Sequence, residues 1–307
     1  MRARVIAALV VVCGVSGCTT GGPSTPPPAA PTGGTQATAA LPLAEAEPPD
    51  PGGEVGSASS EFTSTAELPV WLKLSDTEGD LNRLTKLEIA GGHLTMEPKP
   101  SAWFDGFRGP FVYQELAGDI VMHMRVKSEG LKGGPPKQIF SLGGAMVRVP
   151  DSDTKPNWLS VTTGTGDVAN RVEVKETLDG SSKPEEHPVK VGWVELVLAR
   201  TGGLVAALYK EEGGAWKVGR RWARPDLVET QVLQWGMTGY TDWNSFGTLK
   251  QDPAKANLTD VKGKPDLRLS VDFVRFLRPR MPDGVDPMNP ASVSDEVLIR
   301  LLTPAGA

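Results

Sequence analysis

The segment Tyr240-Thr241-Asp242-Trp243-Asn244 sets two aromatic rings around a carboxylate and an amide. Aromatic faces stack on sugar rings while Asp and Asn hydrogen-bond the hydroxyls, so Tyr240, Asp242, Trp243 and Asn244 form a candidate carbohydrate-binding set. The alternative is that Trp243 and Phe246 only pin a long loop onto the body of the protein. Trp103-Phe104-Asp105 is a second, smaller set of the same kind. Eight tryptophans exceed what one core obviously needs; Trp158 and Trp193 read as packing and Trp216 as a hairpin partner.

Other chemistries find less support. Glycoside hydrolysis needs two carboxyl groups facing each other across the scissile bond, and no Glu-x-Asp-x-Glu alternation occurs. Glu185-Glu186 and Glu211-Glu212 are adjacent pairs, so on a strand their side chains point to opposite faces. Both lie beside turn residues and read as solvated, which leaves no catalytic residue to name. His93, His123 and His187 are far apart, none has a ligand-spaced partner, and His123 falls on the expected polar face of a strand. No cofactor is expected; loop carboxylates such as Asp151 and Asp153 would admit calcium, but acidic turns are common. Neither a Gly-x-Ser-x-Gly elbow nor a phosphate loop is present.

The N-terminus carries an address. Arg2 and Arg4 precede an apolar run from Val5 to Val12, too short to span a bilayer stably. Val15-Ser16-Gly17-Cys18 then resembles the lipobox of bacterial lipoproteins. That resemblance implies a signal peptide over residues 1–17, lipidation of Cys18, and a membrane as partner through the lipid, whose buried CH₂ groups contribute about 0.8 kcal/mol each. Thr19 and Thr20, with no aspartate after the cysteine, imply outer-membrane or cell-surface sorting within the envelope. Cys13 would leave with the signal peptide, so the mature chain would hold no free thiol and no disulfide. The charge of −5 becomes −7 once Arg2 and Arg4 are gone. The basic residues are scattered rather than clustered, which argues against a nucleic-acid partner.

Residues 18–65 are dominated by Pro, Ala, Gly, Thr and Ser, with no aromatic before Phe62. Such a segment buries too little to offset its ordering entropy and reads as a tether. From 66 to 278, β-branched and aromatic runs alternate with Gly, Pro and Asp punctuation, as in Ile120-Val121-Met122-His123-Met124-Arg125-Val126, predicted to be a strand with one buried face. Gly202-Gly203 and Gly213-Gly214 separate adjacent strand candidates as hairpin turns would. Many strands with little helical periodicity predict an all-β, two-sheet antiparallel sandwich. After a linker, Ser294 can cap a short helix with Val297, Leu298, Leu301 and Leu302 on one stripe. Eight or nine residues do not stay helical alone, so it is expected to dock.

The order of pieces between about 100 and 278 resembles the concanavalin A-like lectin/glucanase superfamily, and within it the regulation-of-enolase-like and beta-xylosidase C-terminal sandwich domains. Gly109-Pro110-Phe111-Val112-Tyr113 and Gly118-Asp119-Ile120 are similar to that family's entry into its core. Gly143 to Arg148 with Asn157 to Val161 are similar to its central pair, Trp193 to Arg200 with Tyr209 to Trp216 to the pair that follows, and Gly236-Met237-Thr238-Gly239 with Val271 to Phe276 to its closing strands. The resemblance implies a jelly roll and admits three functions: a tethered non-enzymatic carbohydrate-binding or interaction module, a glycan-active hydrolase with loop-borne acids, or a structural lipoprotein binding an envelope protein. The leading expectation is the first, with polysaccharide or an envelope protein as partner.

Overall fold

The computed structural model describes residues 53–150, 155–167, 170–227, 232–279, 286 and 289–304. Cys18, most of the tether, and Asp151 and Asp153 lie outside the described residues.

The strands run in chain order as β1 (Leu72–Lys73), β2 (Leu84–Ala90), β3 (His93–Pro98), β4 (Phe111–Ala117), β5 (Ile120–Glu129), β6 (Ser141–Arg148) and β7 (Trp158–Thr165). There follow β8 (Asn170–Leu178), β9 (Ser181–Pro188), β10 (Trp193–Thr201), β11 (Leu204–Glu211), β12 (Lys217–Ala223), β13 (Val232–Tyr240) and β14 (Arg268–Leu277). They form two antiparallel seven-stranded sheets, ordered β1-β4-β13-β6-β7-β8-β9 and β12-β11-β10-β5-β14-β3-β2. The fold is therefore an all-β sandwich, and its dry interior joins Val161, Val172, Val174, Trp235 and Met237 of the first sheet to Met122, Met124, Leu196 and Leu198 of the second.

Both outer faces are partly covered, and this is where the structure departs from the period-2 reading. Residues 120–124 of β5 are all buried. The helix Asp295–Leu302 lays Leu298 and Leu302 against Val121, Val197, Ala199 and Trp216 on the back of the second sheet. Ser294 caps it, its hydroxyl accepting from Val297 N. His123, expected on a polar face, is 1% exposed. Its ring lies between Trp216 and Phe273, and its Nε2 is 2.9 Å from Glu195 Oε2. Trp193, expected in the core, is half-buried, with the Arg125 guanidinium 4.4 Å from its ring.

On the back of the first sheet a second apolar layer forms from Leu74, Trp103, Phe111, Tyr113, Leu142, Met146, Trp158 and Tyr240. The segment following β13 folds as a 3-10 stretch, Trp243–Gln251, and a short helix, Pro253–Asn257. It closes its own small core of Phe107, Phe246, Ala256 and Val261 beside the second layer. Candidate site residues sit where these two layers meet.

Candidate functional site

Strand β8 reads Arg171-Val172-Glu173-Val174-Lys175. Side chains alternate across a strand, so the valines enter the interior and the three charged residues share the back of the sheet. Lys175 is 3% exposed, and three acceptors surround its ammonium: Glu173 Oε1 at 2.6 Å, Trp103 O at 2.9 Å and the Tyr240 hydroxyl at 3.2 Å. An ammonium has three donors, so the set is complete. Tyr240, the last residue of β13, donates its hydroxyl proton to Glu173 Oε1 at 2.6 Å. Burial, followed by the Glu173 charge, pushes the Tyr240 phenol well above its ordinary range, so it stays a donor.

This triad floors a cavity of about 330 Å³ whose wall includes Phe104, Phe140, Trp243, Asp167, Pro184 and Glu186. They arrive from several different elements. Trp103 and Phe104 come from the β3–β4 connection, which is tied to β9 because Asp105 N donates to Ser182 Oγ and Asp105 Oδ1 accepts from Ser182 N. Pro184 and Glu186 come from β9, in register with Lys175 and Glu173. Asp167 precedes β8, and Trp243 begins the 3-10 stretch. Glu173 lines the cavity, and its Oε2 receives no hydrogen bond from the described residues. Arg171 bridges the remaining carboxylates, with Nη1 on Glu186 and Nη2 3.0 Å from Asp167.

Phe140, Asp105 and Asp242 carry φ values of 53°, 49° and 59°. Such left-handed backbone in non-glycine residues costs energy and gathers where a site fixes its chain path.

The expected quartet divides. Tyr240 and Trp243 line the cavity. Trp243 also meets Phe107 edge-on at 4.9 Å and Phe246 at 5.1 Å, so it pins the loop as well as walling the cavity. Asp242 turns into the loop, its carboxylate accepting from Ser245 Oγ at 2.7 Å and Lys264 N at 2.5 Å. Asn244 is exposed, its Oδ1 3.4 Å from Lys250 Nζ. Trp103 and Phe104 of the second set join Tyr240 and Trp243 at the cavity. Sequence reasoning missed Glu173, Lys175 and Asp167, and took Glu186 for a solvated charge. The available signal was the alternation of charge with valine in β8, which reads as an ordinary exposed face until other segments cover it.

Among the described residues, no group of three or more His, Cys, Asp or Glu side chains converges as a metal site would require. No described helix is long and apolar enough to cross a membrane.

No known family matches the chain, and none of the curated proteins does. Solved structures do match it. A functionally unknown protein from Saccharomyces cerevisiae aligns at 15% identity with a TM-score of 0.49, covering 70% of this chain and 99% of that one. The GH43 BlXynB protein from Bacillus licheniformis aligns at 12% identity and TM-score 0.51, covering 72% of this chain and 39% of that one. A bifunctional GH43-CE protein from Bacteroides eggerthii aligns at 11% and 0.50, covering 73% and 26%. The chain thus spans well under half the length of either GH43 protein, and likeness at such identities speaks to the fold alone.

Proposed function

We propose that this chain is a membrane-tethered, non-enzymatic carbohydrate-binding module whose ligand enters the cavity between Phe104, Trp243 and the Glu173–Lys175–Tyr240 floor. The observation that carries the reading is the pairing of accessible ring surface with carboxylate oxygens in one concavity of about 330 Å³, within the size range of small-molecule sites. Rings stack on the C–H face of a sugar and carboxylates accept its hydroxyl protons. GH43 proteins carrying a sandwich of this fold are in keeping with a carbohydrate context.

The charges support the non-enzymatic reading. Glycoside hydrolysis needs a carboxyl that holds a proton for the leaving group. Glu173 is paired with Lys175, and Glu186 and Asp167 with Arg171, an arrangement suited to accepting hydrogen bonds from sugar hydroxyls. The register of Glu173 opposite Glu186 favours a second reading, a hydrolase, because side chains directly opposite on neighbouring strands are only about 5 Å apart at Cβ. Titrating the purified full chain with a broad oligosaccharide panel separates the two. Binding without turnover, lost in Trp243→Ala, supports the module; turnover abolished by Glu186→Gln supports the hydrolase; neither binding nor turnover rejects both. For the tether, labelled fatty acid should enter the chain in cells and fail to enter a Cys18→Ala variant.

A further inference from the structure

We infer that the saccharide taken by this cavity carries a positively charged amino group, and that the cavity turns away uronate and sulfated sugars. The inference rests on the carbohydrate reading above and specifies the ligand class. Its basis is which groups of the wall remain free to meet a ligand.

The ammonium and hydroxyl donors of the wall are spent inward. Lys175 serves three protein acceptors, Tyr240 gives its proton to Glu173, and Ser101 Oγ donates to Lys99 O. The Trp103 indole N–H points to Pro110 O, 3.4 Å away. Apart from the Trp243 indole N–H, the wall side chains therefore offer a ligand carboxylate oxygen and ring surface. Glu173 is 3% exposed, yet its Oε2 has no donor among the described residues. That oxygen is left open to the cavity, where a ligand N–H or O–H can donate to it.

Charge points the same way. Asp167, Glu173 and Glu186 contribute three negative charges and Lys175 and Arg171 two positive ones, leaving one negative charge in excess at the wall. Glu186 and Asp167 reach solvent, with side chains 27% and 56% exposed, so the excess sits where a ligand can meet it. Lys250 lies 5.1 Å from the Trp243 ring and is not among the residues that line the cavity. Phe104, Phe140 and Trp243 add quadrupole faces that attract cations. The site already shows this preference with its own side chain: Lys175 Nζ lies 4.9 Å from the Tyr240 ring, 5.8 Å from Trp158 and 5.9 Å from Phe104. An anionic sugar would meet the excess negative charge, and among the described residues that line the cavity the one cation, Lys175, is already engaged by three protein acceptors.

The test uses the purified full chain and calorimetric titration with glucosamine oligomers, their N-acetylated counterparts and galacturonate oligomers of equal length. The expected result is that glucosamine oligomers bind at least about tenfold tighter than the N-acetylated ones, that galacturonate oligomers do not bind, and that the preference collapses in Glu186→Gln and in Asp167→Asn. Both variants lie at the solvent edge, and circular dichroism would verify their fold. Equal affinity for amine and N-acetyl oligomers, or binding of galacturonate, overturns the amine preference while leaving carbohydrate binding in place. Silence toward every oligosaccharide overturns both.

Discussion

Lys175 Nζ lies 2.6 Å from Glu173 Oε1, two positions back on the same strand, and both residues are 3% exposed. A buried pair of this kind contributes little net stability, but removing one partner strands the other. Lys175→Met is expected to cost about 3–5 kcal/mol, and the double variant Glu173→Gln/Lys175→Met distinctly less than Lys175→Met alone. Urea unfolding of the three proteins checks this, and a double variant as damaged as the single one would refute it.

The cavity wall and the loop behind it should separate on mutation. Phe104→Ala and Trp243→Ala each remove ring surface and should weaken oligosaccharide binding about tenfold, a loss of about 1.4 kcal/mol. Asn244→Ala should leave affinity unchanged, because Asn244 faces solvent. Asp242→Ala should lower the melting temperature, because the carboxylate that fastens Ser245 and Lys264 is lost.

On the opposite sheet, the hydrogen bond from His123, with Lys210 adding to it, draws the Glu195 carboxyl down from 4.5 to about 2. A carboxyl whose pKa is lower in the folded state stabilises the fold above its unfolded value and loses that contribution as pH falls through its folded value. Stability supplied by Glu195 should therefore be full above pH 4.5 and drain away toward pH 2. Denaturation midpoints measured across that interval should fall less steeply in Glu195→Gln than in the parent; parallel curves would count against the assignment.

The C-terminal helix should depend on its packing. Leu298 is fully buried against the back of the second sheet, and truncation to Ala should cost about 2–4 kcal/mol through lost transfer energy and a residual cavity. Faster amide exchange in the helix and in the first half of β5 is the companion signature, since eight residues do not hold a helix once undocked. Calorimetry together with exchange mass spectrometry reads both.

The fold class was legible because it depends on short-range pattern. Alternation in β5, β8 and β10, with glycine pairs at the turns, carries the period of a strand wherever the strand sits, and Ser294 with its apolar stripe specifies the closing helix in the same local way. Strand β9 escaped notice since Ser181 to Pro188 is polar and holds two prolines, a composition tolerated at a sheet edge where a missing N–H costs no ladder bond.

The candidate site was half legible. Tyr240 and Trp243 announce themselves by residue type, as do Trp103 and Phe104, because a ring has few reasons to stand in a loop. Which of their neighbours join them depends on contacts between segments separated by scores of residues. Asp242 turns away because Ser245 and Lys264 claim its carboxylate, while Glu173 and Lys175 become a floor because Trp103 and Tyr240 close over them. In the same way His123 is buried because Trp216 and Phe273 flank it on a face whose alternation reads as exposed. Hydrophobic period and turn chemistry are written in adjacent residues, and so the sequence alone determined the sandwich. Burial of charge, the direction of a side chain and the boundary of a cavity are properties of several segments at once, and only the tertiary structure decided them.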